Sequence, residues 1–326
     1  MLYPLLFQPI FKERIWGGRS LETLYGKKLP PKTVIGESWE ISDRPGDESV
    51  IANGPLAGKN LHWLMEHHGR ALLGHTKPTK ENRFPLLCKI LDAREKLSLQ
   101  VHPPAAQAAA LKGEAKTEMW YITDAGPEAD LFVGLKRGMT REQFEKKIQT
   151  GDVAECFHRI PVKANDAMFL PSGRVHAIGT GLVIFEIQQN SDTTYRVFDW
   201  NRVGLDGKPR ELHVPQSLAS IDFNDFEPAT IAHGFKTAGQ LHTRSLVSDP
   251  LFTVEQRKMS AGGSMSAKPH RMQIIAVVEG HLQVSGGDVK IELSPGMFCL
   301  IPAELEQTTL SAKTETVWLQ VEAGLD

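Results

Sequence analysis

The sequence predicts a mainly β protein that contains two related β-barrels, the first of them interrupted by helices. The 326 residues include 20 prolines and 28 glycines, which separate many short runs rich in β-forming residues. Turn residues between short strands are typical of antiparallel sandwiches and barrels, whereas α/β folds alternate strands with long helices. A similar spacing of a turn residue and a proline recurs in both halves of the chain, which indicates that one barrel unit was duplicated.

Composition places the chain among ordinary globular proteins and excludes some partners. Its 41% hydrophobic and 23% charged residues are typical of that class. The net charge of −2 gives no electrostatic footprint for nucleic acid or an anionic membrane. The apolar stretch Met1–Ile10 is interrupted by Pro4 and Pro9 and lacks basic residues, so we expect neither a signal peptide nor a membrane span. Three cysteines without metal-like spacing predict buried thiols and a cytoplasmic, reducing location.

The first half of the chain is predicted to combine strands with helices. Short runs of β-forming residues predict strands at Ser38–Ser42, Phe84–Leu91 and Leu182–Gln188. Apolar residues at helical spacing predict an amphipathic helix over Leu61–Leu73. Thr140 and Gln143 are spaced as a capping box for a helix that continues to Ile148. The alanine-rich stretch Pro104–Gly113 is a third helical interval.

A second β-rich block follows a loop-like passage over residues 224–240 and runs from about Val247 to the C-terminus. Its predicted strands are Gln273–Val278, Leu282–Val284, Val289–Leu293, Met297–Ile301 and Thr316–Val321. We therefore predict two domains, one over residues 1–238 and the other over residues 239–326.

One segment of the first half carries polar side chains in a strand-like alternation. In an extended chain, Ser98, Gln100 and His102 lie on one face, opposite leucine and valine side chains. Lys116 and Glu118 share a face in the same way. A sheet face with this composition is either exposed to water or coordinates a ligand.

A second polar segment, residues 165–176, ends at His176 and has the form N-x5-P-x-G-x2-H. Asn165 occupies the turn position that Gly296 holds in the second half, and asparagine tolerates left-handed backbone geometry. Two imidazoles and a carboxylate, with an amide oxygen nearby, suit a borderline divalent ion such as Zn²⁺. An open coordination position would make such a site catalytic rather than structural.

The segment over residues 165–176 resembles the second motif of the cupin superfamily, G-x5-P-x-G-x2-H. The resemblance implies that both predicted barrels are cupin-like jelly rolls. In the second half, Gly296 and Pro302 match the motif, but Glu304 and Gln307 replace the expected glycine and histidine. We therefore expect the C-terminal unit to be a degenerate cupin without metal.

Within the cupins, the chain resembles the type I mannose-6-phosphate isomerases, or phosphomannose isomerases, in their short bacterial form. The matching stretches are RIWGG at 14–18, GESWEIS at 36–42, LSLQVHP at 97–103, KTEMWY at 116–121 and FEIQQNSDTTYRVFD at 185–199. The resemblance implies reversible interconversion of mannose 6-phosphate and fructose 6-phosphate through a cis-enediol intermediate. It also implies one zinc ion per chain.

The resemblance further implies roles for individual residues. The implied zinc ligands are His102, Glu118 and His176, with Gln100 as a candidate fourth ligand. The implied catalytic residues are Arg196, Lys116 and Glu186. The implied sugar-phosphate contacts are Lys89, Ser98 and Arg202. Arg202 stands where longer family members have lysine, which keeps the charge but alters the geometry.

The residues themselves leave several roles open. Glu118 could be a structural partner of Lys116, and Glu186 could form a buried salt bridge with Arg196 or Lys116. The general base could be Glu186, a Lys116 with a lowered pKa, or a hydroxide on the metal. The oligomeric state is open between a monomer and a weak homodimer.

Two other functions are compatible with a cupin, since a fold does not dictate its chemistry. A metal-dependent oxygenase would use Fe(II) or Mn(II), but Lys89 and Arg202 argue against an uncharged substrate. A non-catalytic sugar-binding cupin would lack metal ligands, whereas the first half keeps the whole set. The expected partner is a small sugar phosphate, with no nucleic acid and no membrane.

Overall fold

The computed structural model describes residues 1–324 and consists mainly of antiparallel strands joined by turns and helices. The α-helices of these residues are α1 Ser20–Tyr25, α2 Leu61–Leu73, α3 Ala105–Ala108, α4 Arg141–Thr150 and α5 Val214–Ser220. The strands before α5 are β1 Ile10–Gly18, β2 Ile35–Ile41, β3 Asp43–Arg44, β4 Asp47–Glu48, β5 Leu86–Ala93, β6 Leu99–Val101, β7 Glu118–Ala125, β8 Asp130–Leu135, β9 Phe157–Pro161, β10 Ala167–Leu170, β11 His176–Ile178, β12 Leu182–Gln189 and β13 Tyr195–Phe198. The strands after α5 are β14 Lys236–Ala238, β15 Leu241–Ser248, β16 Phe252–Met259, β17 Ser264–Ser266, β18 Gln273–Glu279, β19 Leu282–Gly286, β20 Val289–Leu293, β21 Phe298–Ile301, β22 Thr308–Ala312 and β23 Thr316–Ala323.

These strands form two pairs of sheets and a small hairpin of β3 and β4. The first sheet has the order β1-β2-β5-β12-β7-β10, and the second has the order β13-β6-β11-β8-β9. The third sheet has the order β14-β15-β16-β23-β18-β21, and the fourth has the order β17-β22-β19-β20. The mainly β class with helices in the first half is confirmed. No sheet of residues 1–324 closes on itself, so the prediction of two closed barrels is not confirmed.

The first sheet is the centre of the molecule because side chains on both of its faces are buried. On β12, Ile184 packs in a cluster with Val133 of the second sheet, whereas the next residue, Phe185, packs in a cluster with Phe252 and Leu319 of the third sheet. Strands buried on both faces read as continuous apolar runs, which explains why β5 and β12 were predicted close to their observed bounds. The order of layers is therefore second, first, third and fourth sheet.

The predicted helices form, and one is shorter than expected. Helix α2 has the predicted bounds, with an irregular backbone at His68. Helix α4 begins with the predicted capping box, in which the Thr140 side chain and the Gln143 side chain each bond to the other's backbone N–H. The alanine-rich stretch is α-helical only over Ala105–Ala108, and the chain turns at Lys112, which has a φ of 58°.

The second block has the predicted strands, and it also has strands that were missed. Strand β15 was missed because its residues are largely half-exposed and show no clear apolar alternation. The boundary between residues 238 and 239 lies in the turn between β14 and β15, which pair with each other, and the division into two domains stays a prediction. All three cysteines are buried and free, as expected. No helix of the described residues is long and apolar enough to cross a membrane.

Replacing Phe185 by alanine should destabilise the chain as one unit, because its ring packs near Tyr25 and Phe298 in the core between the first and third sheets. We expect the free energy of unfolding to fall by about 3–5 kcal/mol in urea titrations followed by tryptophan fluorescence. Phe235→Ala is the control, since Phe235 is 47% exposed and should change stability by less than about 0.5 kcal/mol. Two separate transitions, only one of them shifted, would contradict this account.

Candidate metal centre and active site

Three side chains from the facing first and second sheets converge on one point. His102 follows β6 directly, Glu118 begins β7, and His176 begins β11. Their ligand atoms all lie within 4.8 Å of one another, and the three residues are almost fully buried. Within residues 1–324 this is the one group of three or more His, Cys, Asp or Glu side chains with metal-binding geometry. The predicted convergence is therefore present.

We call this group the His-Glu-His site. Each imidazole Nε2 faces an oxygen of the Glu118 carboxylate at a distance longer than an ordinary hydrogen bond. His102 Nε2 lies 3.6 Å from Glu118 Oε2, and His176 Nε2 lies 3.4 Å from Glu118 Oε1. His102 Nε2 and Glu118 Oε1 are buried without a hydrogen-bond partner among the described residues. Buried polar atoms without a partner are costly.

Both imidazoles are held with Nε2 toward Glu118. The Nδ1 atom of His102 lies 2.8 Å from the carbonyl oxygen of Thr193, and that of His176 lies 2.9 Å from the carbonyl oxygen of Arg174. A carbonyl only accepts, so each Nδ1 carries the proton and each Nε2 keeps its lone pair. This arrangement is usual for histidines that ligate metals.

Electrostatics keep both imidazoles neutral. Burial, and then the nearby Lys116 ammonium, lower the pKa of His102 to about 3. Burial likewise lowers the pKa of His176. Burial alone would raise the pKa of Glu118, but the Lys116 ammonium opposes it and holds that pKa well below its usual range. Two neutral nitrogens and a carboxylate thus face one another as acceptors, which is the donor set that a divalent cation such as Zn²⁺ requires.

Gln100 lies beside the His-Glu-His site but is not one of its three converging side chains. It pairs with His176 across β6 and β11, and its Nε2 is 3.3 Å from His176 Nε2. Its Oε1 accepts a hydrogen bond from Ser98 Oγ at 3.3 Å. Rotation of the amide by half a turn would exchange its oxygen and nitrogen. The role of Gln100 as a ligand stays a prediction.

Lys116 is the ionic partner of Glu118, as the residues alone allowed. Its Nζ lies 3.0 Å from Glu118 Oε2, and both side chains are buried. Burial lowers the pKa of Lys116, but Glu118 and Glu186 outweigh it, so the net shift is upward. Lys116 is therefore a protonated donor next to the His-Glu-His site, and the sequence-based idea of a lowered pKa is wrong.

The partner of Glu186 is Lys89, so the alternative of a buried salt bridge to Arg196 or Lys116 is wrong. Glu186 Oε1 lies 3.1 Å from Lys89 Nζ, because β5 and β12 pair these residues directly, and Trp120 Nε1 donates to Glu186 Oε2 at 2.9 Å. Glu37 Oε2 lies 3.6 Å from the same ammonium. Burial is the largest influence on Glu186 and raises its pKa.

Arg196 lies on β13 opposite Gln100 of β6, and both side chains line the same cavity. Its Nε donates to Ser98 Oγ at 3.2 Å, and its guanidinium donates to the backbone carbonyl of Glu211 at 2.9 Å. It forms no ion pair within residues 1–324. Burial lowers the pKa of Arg196, and neighbouring Arg210 lowers it further. The guanidinium nevertheless stays charged, because arginine is not deprotonated in proteins. Since it forms no ion pair within residues 1–324, it is available to an anionic ligand.

A cavity of about 590 Å³ opens in front of these residues. The predicted residues on its wall are Lys89, Ser98, Gln100, Lys116, Glu186 and Arg196. Arg202 is not among the described residues that line it; its guanidinium instead donates to Asp199 at 2.8 Å. The other lining residues had no predicted role, and four of them bear directly on its chemistry: Arg14, Glu37, Arg210 and His213.

These four residues carried little signal in the sequence. Arg14 and Glu37 lie in stretches that matched the family, but nothing in those stretches singled them out. Arg210 and His213 lie in an irregular segment after β13, where no periodic pattern predicts the direction of a side chain. Only the folded chain brings them to the cavity.

Comparison with known families is consistent with this geometry. Residues 5–138 match the family model described as phosphomannose isomerase type I, catalytic domain, and residues 242–320 match that described as mannose-6-phosphate isomerase, cupin domain. A mannose-6-phosphate isomerase of Bacillus subtilis is 38% identical over 96% of this chain and 98% of its own length. One of Streptococcus mutans is 36% identical over 97% of this chain and 98% of its own length.

Solved structures agree with the sequence comparison. The mannose 6-phosphate isomerase structure from Bacillus subtilis superposes with a TM-score of 0.89 at 32% identity, over 98% of this chain and 99% of that one. A phosphomannose isomerase structure from Salmonella typhimurium, with a TM-score of 0.78 at 17% identity over 99% of this chain and 100% of that one, shares the fold.

Replacing His102 or His176 by alanine should weaken zinc binding, because each change removes one of three buried donors. We expect the Kd from isothermal titration with Zn²⁺ to rise by more than the roughly 10- to 100-fold that loss of an outer partner costs. His242→Ala, on half-exposed β15, is the matched control and should bind zinc like the parent protein. Unchanged zinc affinity in both site variants would rule out the His-Glu-His site as a metal centre.

Proposed function

This chain belongs to the type I phosphomannose isomerase family, and we propose that it interconverts mannose 6-phosphate and fructose 6-phosphate with one Zn²⁺ held by His102, Glu118 and His176. The observation that carries the proposal is the His-Glu-His site beside a cavity with mixed charges, one of whose guanidiniums, that of Arg196, has no carboxylate partner within residues 1–324. Such a cavity suits a small anionic ligand that brings oxygen atoms to a metal. The degenerate C-terminal cupin is proposed to act as a packing partner.

The chemical step needs a proton to move between two neighbouring carbons of the open-chain sugar. When bound, Zn²⁺ would supply Lewis-acid polarisation of the sugar's carbonyl and hydroxyl oxygens. We assign the base to Glu186, because it is a buried carboxylate on the cavity wall and burial raises its pKa toward neutrality. Glu186 takes the C2 proton, the C–H electrons form the C1–C2 double bond, and the π electrons of the C1 carbonyl move to O1, which is protonated to give the cis-enediol. Loss of the O2 proton then forms the C2 carbonyl, the double-bond electrons take the proton back from Glu186 at C1, and the ketose results, with one proton moved in net from O2 to O1.

The cations on the wall have complementary tasks. Arg196, which has no carboxylate partner within residues 1–324, stabilises negative charge that develops on the enediol oxygens. Lys116 donates to the same region and keeps Glu118 ionised. Lys89 fixes Glu186 in place through their direct ion pair. The cytoplasmic location and the oligomeric state stay predictions.

The oxygenase alternative receives no support from the cavity. Its wall carries five cationic and five acidic side chains, and most of the cations pair with a carboxylate. Arg196 has no carboxylate partner within residues 1–324, and burial against an uncharged substrate would leave its guanidinium without one. A sugar phosphate supplies both the anion and the oxygen atoms.

A coupled assay that consumes fructose 6-phosphate tests the proposed function directly. The purified protein should convert mannose 6-phosphate, lose activity on chelation and regain it when Zn²⁺ is added back, because the His-Glu-His site needs its cation. Unphosphorylated mannose at the same concentration is the comparison substrate and should react far more slowly. Full turnover by protein shown to be metal-free would contradict the zinc assignment.

Glu186→Gln and Arg196→Ala should keep zinc but lose turnover, since neither residue belongs to the His-Glu-His site. We expect kcat to fall by about 10²- to 10⁴-fold for Glu186→Gln, the usual contribution of a general base, and by a similar order for Arg196→Ala. Metal content and kcat are measured on the same samples, with the exposed Glu292→Gln as a control. Loss of zinc in step with activity would contradict the catalytic roles.

A further inference from the structure

The side of the cavity away from the His-Glu-His site carries the guanidiniums of Arg196 and Arg210. The carboxylate of Asp199 accepts from Arg210 Nε at 2.7 Å and from Arg202 at 2.8 Å. Arg202 has a second acidic neighbour in Glu95, whereas Asp199 is the one ion-pair partner of Arg210 within residues 1–324. Arg196, whose charge has no carboxylate partner in residues 1–324, is close enough to Arg210 for the two to repel each other.

The other predicted phosphate contacts are already committed to protein partners. Lys89 lies between the carboxylates of Glu186 and Glu37 and is only 4% exposed. Ser98 bonds to Arg196 and Gln100. Neither residue adds net positive charge at the outer part of the cavity, so recognition of a dianion must come from elsewhere.

Arg210 and Arg202 differ in where they reach, although they share Asp199. Arg210 lines the cavity together with Gly204, Asp206 and His213 of the same segment. Arg202 is absent from the described lining, and its second acidic neighbour is Glu95 at 3.8 Å. The carboxylate of Asp206 accepts the backbone N–H of Lys208 at 3.0 Å, which occupies part of its acceptor capacity.

The position of Arg210 fits the far end of a substrate whose reacting carbons are at the metal. In the second sheet, His176, Gln100 and Arg196 lie side by side on β11, β6 and β13. Two strand spacings separate His176 from Arg196, which is about 10 Å. His213, three residues after Arg210, bonds to the backbone of Arg196 on the outer side of this row.

We propose that Arg210, held by Asp199, is the principal phosphate-binding residue of the cavity, in place of Arg202. The inference rests on the proposed function, since it takes the ligand to be a sugar phosphate. A guanidinium held by a carboxylate on one edge keeps its remaining N–H groups for the phosphate oxygens. Arg196 then lies between the phosphate and the metal.

Steady-state kinetics with Arg210→Met and Arg202→Met test this assignment, because each variant loses an ion pair with Asp199 and only one loses a cavity residue. Arg210→Met should raise both the KM for mannose 6-phosphate and the inhibition constant of inorganic phosphate by about 10- to 100-fold, as expected for a lost charge-assisted contact. Arg210→Lys should fall between it and the parent. Arg137→Met, at an exposed surface ion pair, is the neutral control, and thermal midpoints check folding.

The outcomes separate the two assignments. A larger effect of Arg202→Met than of Arg210→Met would overturn the proposal. Equal losses in the two variants would also overturn it, because they would reflect the shared Asp199 rather than contact with phosphate. Calorimetric titration with inorganic phosphate gives the same comparison without turnover, so that absence of isomerase activity in the parent protein would refute the proposed function while leaving Arg210 testable.

Discussion

The interaction on which the site depends is the burial of one carboxylate, Glu118, against an ammonium and two neutral imidazoles. Lys116 holds the carboxyl ionised, and backbone carbonyls turn both histidines so that their free nitrogens face it. The result is a pocket of acceptors that is unfavourable when empty and favourable around a cation. The rest of the active centre is arranged around this constraint, with Gln100 and Arg196 extending the row of polar groups along the second sheet.

The scaffold supports this concentration of charge because the first sheet is buried on both faces. Alternate residues of β5 and β12 send Lys89 and Glu186 toward the cavity and apolar side chains toward the third sheet. The charged pair is therefore held by strands that cannot shift by one residue without exposing the core. The third and fourth sheets contribute the other side of that core.

The strands and the metal ligands were predictable from sequence because they follow local patterns. A run of β-forming residues predicted β12, the capping box predicted α4, and the matched motifs gave His102, Glu118 and His176. Tertiary pairings were not predictable in this way. The partner of Glu186 depends on the register of β12 against β5, and Arg210 reaches the cavity from a segment without periodicity. Two jelly-roll barrels were predicted from the short strands and the cupin-like motif, whereas the strands of residues 1–324 form open facing sheets.

Anomalous X-ray diffraction at the zinc absorption edge, on crystals grown with Zn²⁺, tests the central claim most directly. The account predicts one strong peak within bonding distance of His102 Nε2, His176 Nε2 and a Glu118 oxygen, with a coordination position left open toward the cavity. A strongest peak elsewhere in the molecule, or a cation enclosed by protein ligands on every side, would contradict it.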